Sequence, residues 1–312
     1  MKEPALTQTA NLPTSIDLGA LYSDYLRTLG RKSSRTIDTY RKAIRQFFAF
    51  CSVHGIGFPT PSDVEDYLNG LKAQGKTAST ISVYLTAVRT FFKWGSRRGI
   101  LPDVTEGIEA PETDRDTHTK GYLQDSEETE LLTLAQNSPR DFALLFLMLT
   151  TGLRTTEIVN ANVEDLREVN GEARLYILGK GRTAKTDYVK VGTEALSLLK
   201  GILGGRISGP LFLSESNRNT TDRLTTRSVS RIVKGYLLRI GKGDGYTAHS
   251  LRHTTAVQIL KTGGSIEEVR EVLRHRDVRT TEIYSHDLQR ERNRSEQRLS
   301  SILMSSLSRR VA

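Results

Sequence analysis

The chain has 312 residues, with 45 Lys plus Arg against 36 Asp plus Glu and a formal net charge of +9. That length accommodates two domains, each with its own core. A single cysteine, Cys51, excludes an internal disulfide and any cysteine-based zinc site. One cysteine fits a reducing cytoplasm. The first fifteen residues are polar and no apolar run approaches the roughly 18 residues that span a bilayer. The expectation is a cytoplasmic protein with no membrane partner. The basic excess favours a polyanionic partner, usually nucleic acid, against the alternative of a merely basic soluble protein.

Residues 1–16 read as a disordered tail, and residues 17–102 as a domain of four helices. The first carries Leu18, Leu21, Tyr22, Tyr25, Leu26 and Leu29 at three-four spacing, with Asp17 as N-cap and Gly30 as the stop. The second runs through Ile37, Tyr40, Ile44, Phe47, Phe48 and Cys51 and ends at Gly55. Cys51 lies in an apolar stretch and reads as a buried small hydrophobe, not a reactive thiol. Ser62-Asp63-Val64-Glu65 reads as a capping box opening a third helix through Val64, Tyr67, Leu68 and Leu71. The fourth carries Ile81, Tyr84, Leu85, Val88, Phe91 and Phe92 and stops near Gly95. The aromatics sit on the apolar stripes, so they are assigned to the core, not to a base-stacking platform. The polar faces hold Arg35, Arg41, Lys42, Arg45, Lys76, Arg89, Lys93, Arg97 and Arg98. A solvated face is the ordinary reading, but the charge is mostly of one sign, which points to phosphate.

Pro102, Pro111 and a run of Asp, Glu, Thr and Gly break the periodicity, and residues 103–121 are assigned as a linker that lets two basic domains close around a duplex. A second domain then spans 122–290. Its helical pattern resumes at Ser126-Glu127-Glu128, and Phe142 to Leu149 is apolar on every side, as a central helix would be. Arg174 to Leu178 and Lys185 to Val191 alternate like two strands joined by Gly179-Lys180-Gly181. Helices follow from Thr225 to Ile240, from Ala248 to Leu260, and from the capping box Ser265-Ile266-Glu267-Glu268. The fold class is mainly α, with one small β-sheet in the second domain. Residues 291–312 form a tail helix with Leu299, Ile302, Leu303 and Leu307 on one face. That face either packs on its own domain or, as the favoured reading, seeks a neighbouring protomer.

Several polar residues suggest chemistry on a phosphodiester, which needs positioned cations for the developing charge and proton transfer at two oxygens. Arg154 follows Thr151-Gly152 where one helical pattern gives way to another near Thr155, so it projects from an elbow. A guanidinium holds two phosphate oxygens at once; an ordinary surface arginine at a turn is the alternative. His249 and Arg252 are three apart on a helix and emerge from one face, whereas His253 should face away and be structural. Lys180 is either a solvated hairpin lysine or an ammonium that protonates a leaving oxygen. His275 ends a helix, and Tyr284 follows nine positions later on a short helix through Thr280, Thr281 and Ile283. A core tyrosine is the bland alternative; a phenol becomes a nucleophile only where cations or a base favour loss of its proton.

Taken together, Thr151-Gly152-Leu153-Arg154-Thr155-Thr156-Glu157, the glycine-flanked Lys180, His249-Ser250-Leu251-Arg252-His253-Thr254, and Leu273-Arg274-His275 through Thr280-Thr281-Glu282-Ile283-Tyr284-Ser285-His286 resemble the tyrosine recombinase (phage integrase) family. Size and layout are similar to the compact Xer and mobile-element integrases. Ser34-Arg35-Thr36-Ile37 and Tyr40 resemble that family's helical core-binding domain, so the likeness runs from about residue 17 onward. It implies that Arg154 and Arg252 clamp the scissile phosphate and that Lys180 is general acid toward the leaving 5′ hydroxyl, with His249 as proton-transfer partner. His275 would contact the phosphate or orient the nucleophile, and Tyr284 would form a 3′-phosphotyrosyl intermediate. Glu157 would brace the site. A 5′ hydroxyl from a partner duplex would reverse the covalent step without ATP, and no metal or cofactor is implied. The implied partners are double-stranded DNA with an inverted-repeat recombination site and a homotetramer assembled on it. A second recombinase and accessory DNA-bending proteins are further candidates. The family commonly has glycine where this chain has Arg274, which leaves the orientation of His275 open and makes Arg274 a candidate phosphate contact. Two other readings stay open: a catalytically inactive sequence-specific DNA-binding protein, and a type IB-like topoisomerase.

Overall fold

The computed structural model describes residues 18–112, 121–179, 182, 184–215, 223–274 and 298–302. The chain divides into two compact units, Met1–Arg115 and Asp116–Ala312.

In the first unit the apolar stripes become the helices α1 (Leu18–Thr28), α2 (Ser34–Val53), α3 (Pro61–Ala73) and α4 (Ala78–Ser96), with a short 3-10 turn at Leu29–Arg31. Each of the last three opens on a hydroxyl cap. Ser33 accepts from the Thr36 amide at 3.2 Å and Thr77 from the Thr80 amide at 3.3 Å. The third cap is Thr60, not Ser62. Thr60 and Asp63 form the reciprocal box, and Pro61 occupies the first helical position, where its missing N–H costs nothing. Asp17 lies outside the described residues.

The aromatics are core, as their spacing indicates. Tyr25, Phe47, Tyr67, Phe91 and Phe92 are buried and meet largely edge to face, for example Tyr25 on Phe91 at 5.4 Å between ring centroids. Cys51 is buried among them, and burial, helped by the nearby Asp63, pushes its thiol up to about 11. It is an inert packing residue at neutral pH.

Beyond α4 the chain stays on the first core as far as Ile108. Leu101, Val104 and Ile108 are buried in the first core, and Arg89 of α4 donates to the Ile108 carbonyl. Helix α4 ends at Ser96, and the chain stays on the core past Pro102, because three apolar side chains after α4 remain to be covered. Gly95 permits the return: a Cβ there would meet the Leu101 side chain.

The second unit contains α5 (Asp125–Ala135), α6 (Pro139–Thr151), α7 (Thr155–Asn160), β1 (Leu166–Val169), β2 (Glu172–Ile177), β3 (Asp187–Lys190), α8 (Thr193–Leu203), α9 (Thr226–Arg239), α10 (Ala248–Lys261) and α11 (Ile266–Leu273). The strands form an antiparallel sheet in the order β1-β2-β3, with Leu175 opposite both Leu166 and Val189. Alternation sends Leu175, Ile177 and Val189 into the core. The other face carries Arg167 over Tyr176 at 4.9 Å and Arg174 over Tyr188 at 4.7 Å. The strand β1 and the helix α8 were not anticipated from the sequence.

Helices α6 and α10 carry the centre of the unit, packed on one another and, for α6, on α5 and α8. α6 is buried through Ala143, Leu144, Leu145, Leu147, Met148 and Leu149. Phe142 and Phe146 form a half-buried stripe, so the helix is not enclosed on every side. α10 is buried through almost its whole length, including the polar Ser250, Arg252, His253, Thr254 and Thr255. Thr254 accepts from the Leu123 amide at 2.9 Å, and Thr255 donates to the Leu149 carbonyl at 2.8 Å. Its hydroxyls therefore satisfy main chain from the neighbouring segments. No helix among the described residues is long and apolar enough to cross a membrane.

Candidate active site

The described site residues meet at the elbow between α6 and α7. Gly152 ends α6 in the left-handed region at φ 59°. A Cβ at that position would also run into Leu273 at the end of α11, so glycine is required twice over, by conformation and by close approach.

Arg252 is the largest fully buried side chain among the described residues, 1% exposed. It donates from Nη1 to the Gly152 carbonyl and from Nη2 to the Leu273 carbonyl. One guanidinium thus ties the elbow to the end of α11. Burying a permanent positive charge is costly unless hydrogen bonds and a ligand compensate it. Its planar fork is fixed by two carbonyls that are themselves held by helix ends.

Arg154 is the N-cap residue of α7. Its amide donates to Glu157 Oε2 at 2.8 Å and its Nη1 to Glu157 Oε1 at 2.7 Å. Glu157, 2% exposed, reaches back one turn and holds both the backbone and the side chain of Arg154. A second cation completes the set: Arg274 Nη2 lies 2.9 Å from Glu157 Oε2. Burial alone would raise the Glu157 carboxyl, but Arg274 and the bonds from Arg154 outweigh it and hold it below the ordinary glutamate range. For Arg274, burial pulls the guanidinium down and Glu157 supports it.

Arg274 caps α11 with φ 54° and ψ 47°, a left-handed conformation that a side chain other than glycine seldom adopts. Its Nη1 donates to the Val272 carbonyl at 2.6 Å. The guanidinium is held by Glu157 and the α11 terminus; the sequence had made it only a candidate phosphate contact. With Thr151, Asp187, Tyr188, Lys190 and Glu271 it lines a cleft of about 430 Å³. This Glu157–Arg274 pairing was not foreseen, and only an acidic residue three after Arg154 hinted at one end of it.

His249 stands exposed in the first turn of α10, one turn from Arg252. His253 does not face away from it. The two rings meet edge to face at 4.6 Å between centroids, with His253 buried beneath. Lys180, His275 and Tyr284 lie outside the described residues, as do Arg290, Arg292, Arg294, Leu303 and Leu307. Among the described residues no group of three or more His, Cys, Asp or Glu is gathered closely enough to hold a metal ion.

In the first unit Arg35, Lys42, Arg45, Lys76 and Lys93 are exposed. Arg41 pairs with Asp38 at 2.7 Å, and Arg89 is spent on the Ile108 carbonyl. Arg89 therefore has a structural task.

Comparison with known proteins accords with this arrangement. Residues 122–291 match the Phage integrase family, and residues 20–99 match the Phage integrase, N-terminal SAM-like domain. A tyrosine recombinase XerC of Roseiflexus castenholzii is 34% identical over 81% of this chain and 83% of its own length. A tyrosine recombinase XerD of Oceanobacillus iheyensis is 30% identical over 84% and 91%. Among solved structures, a lambda integrase (75–356) dimer bound to a COC′ core site has a TM-score of 0.69 at 20% identity, covering 86% of this chain and 94% of that one. A lambda integrase tetramer bound to a Holliday junction has a TM-score of 0.68 at 20% identity, covering 88% and 78%. With its catalytic-domain match spanning more than half its length and Xer recombinases at this identity, the chain belongs to the phage integrase family and is a site-specific recombinase of the tyrosine class.

Proposed function

We propose that the protein cuts and rejoins double-stranded DNA through a 3′-phosphotyrosyl intermediate on Tyr284. Arg154 and Arg252 bind the scissile phosphate and balance the charge that grows on its non-bridging oxygens. Lys180 protonates the leaving 5′ oxygen, His249 exchanges protons beside it, and His275 contacts the phosphate or orients the phenol. The phosphotyrosyl bond conserves the energy of the phosphodiester, so a 5′ hydroxyl of a partner duplex completes the exchange without ATP, metal or cofactor.

The observation that carries this reading is the convergence of two arginines on one elbow. Arg252 is anchored to the Gly152 carbonyl, and Arg154 is locked two residues later by Glu157. Both guanidiniums are held before any phosphate arrives, as preorganised electrostatic stabilisation demands. A relaxing topoisomerase would use the same chemistry on one strand. The Xer relatives and the tail favour exchange between duplexes instead.

The working form is a homotetramer on an inverted-repeat site, acting on DNA in the bacterial cytoplasm. The lambda integrase tetramer on a Holliday junction supports four subunits. The tail supports them too: residues 298–302 are helical, with Leu299 and Ile302 60% and 61% exposed, an apolar pair that a neighbouring protomer would cover. The exposed Arg35, Lys42, Arg45, Lys76 and Lys93 supply backbone contacts from the first unit.

The test is a nicked suicide duplex carrying the protein's own site. The wild-type chain should become covalently attached to it through Tyr284, and Tyr284→Phe should abolish attachment. Attachment mapped to another residue would overturn the assignment.

A further inference from the structure

We propose that Arg274 is a positioning residue for Arg154, acting through Glu157; this rests on the recombinase reading above. The first support is the backbone. At φ 54° a glycine would sit without penalty, whereas an arginine there is strained. A strained residue persists where its side chain contributes more than the strain removes. Arg274 contributes an ion pair: its side chain is 13% exposed and Nη2 binds Glu157 Oε2 at 2.9 Å.

The second support is how the carboxylate is shared. Oε1 takes Arg154 Nη1 at 2.7 Å, and Oε2 takes both the Arg154 amide at 2.8 Å and Arg274. Arg274 therefore fixes the plane of the carboxylate, and the carboxylate fixes the guanidinium of Arg154. Charge is the third support. Arg154 and Glu157 alone would cancel, and an incoming phosphate would meet a neutral pair with an acidic member. Arg274 approaches Glu157 from the end of α11 and compensates it, so this trio carries a net single positive charge that adds to that of Arg252. Arg274 itself is tied at Nη1 to the Val272 carbonyl, so it acts from a fixed base and does not reach for DNA.

The experiment uses the full chain and the nicked suicide duplex, with attachment followed in single turnover at saturating protein. Arg274→Gly suits the left-handed backbone, so the fold should hold, and melting verifies this. The attachment rate should fall about ten- to hundredfold, the scale expected when a phosphate-holding group is displaced. Duplex affinity should change by less than about threefold, because most of it comes from other phosphates. Arg274→Lys should recover most of the rate, and Arg274→Gly on a Glu157→Gln background should cost no more than about twofold beyond Glu157→Gln alone. A wild-type rate in Arg274→Gly, or a loss matched by lost affinity or lost folded fraction, would overturn the positioning role while wild-type attachment kept the recombinase reading standing. Failure of the wild-type chain to attach would sink that reading and this role with it.

Discussion

Arg274, at the end of α11, and Glu157, in the first turn of α7, are ion-paired at 2.9 Å across 117 positions of sequence. The same carboxylate caps Arg154, so one buried acid joins two helix ends and two cations. Glu157→Gln leaves the two guanidiniums uncompensated in a buried setting. Removing one partner of such a network costs about 3 kcal/mol. Urea unfolding of the second unit should show a loss of that order. A midpoint within error of wild type would show that the pairing does not contribute.

The sign of the pH dependence follows from the same residue. The Glu157 carboxyl is depressed below its ordinary value of 4.5, so its contribution is present in full above that value. The contribution disappears as pH falls through the lower folded value. The stability difference between wild type and Glu157→Gln should therefore be constant from neutral pH to about 5 and shrink below 4.5. A difference that widened on acidification would contradict the ion pair.

Gly152→Ala strains the left-handed turn and drives a methyl into Leu273. The expected destabilisation is about 2 kcal/mol. Attachment to the suicide duplex should fall further than folding does, because the elbow positions Arg154 and anchors Arg252. On a Leu273→Ala background the added cost of Gly152→Ala should be smaller than in the wild-type chain, because the collision is gone. An equal cost in both backgrounds would place the whole loss in the backbone.

Arg252→Ala would leave the Gly152 and Leu273 carbonyls buried without their donor. Each orphaned acceptor costs about 1–3 kcal/mol. Arg252→Lys keeps the charge but cannot fork to both carbonyls, so it should retain more of the fold than of the activity. Cleavage by the lysine variant should drop at least about a hundredfold, as for loss of a transition-state donor. Near-normal cleavage would argue that charge alone suffices.

Arg89→Ala should lower the melting temperature of the first unit by freeing the segment that ends at Ile108. Lys42→Ala, exposed on α2, should leave melting unchanged and reduce the salt dependence of duplex binding. Equal behaviour of the two variants would show that Arg89 is a surface cation like Lys42.

Much of the fold was legible because its signals are local. The helices α2, α4, α9 and α11 carry apolar stripes and hydroxyl caps within four residues of one another, and such contacts form the same way wherever the helix is placed. Arg154 and Arg252 stood out in the sequence as a pair of guanidiniums with an imidazole nearby, and the structure brings both arginines to one elbow. β1 was invisible because Leu166–Val169 has two exposed residues in four and becomes a strand only by pairing with β2. α8 escaped because it is flanked by Gly192 and Gly204 and has no side-chain cap at its start. The cap of α3 was misplaced by two residues, since Ser62 and Thr60 offer the same hydroxyl and Pro61 decides between them.

By itself, then, the order of residues determined which stretches are helical and which polar side chains each helix end carries, since both depend on neighbours a few positions away. Only the tertiary structure decided which charges neutralise which. Burial of α10 brings the elbow and the end of α11 together, and in that dry setting Arg252 must find carbonyls and Glu157 must find two arginines. Arg274 shows the difference. Its sequence neighbourhood suggests a helix end beside a catalytic histidine, while its partner is set by packing more than a hundred residues away.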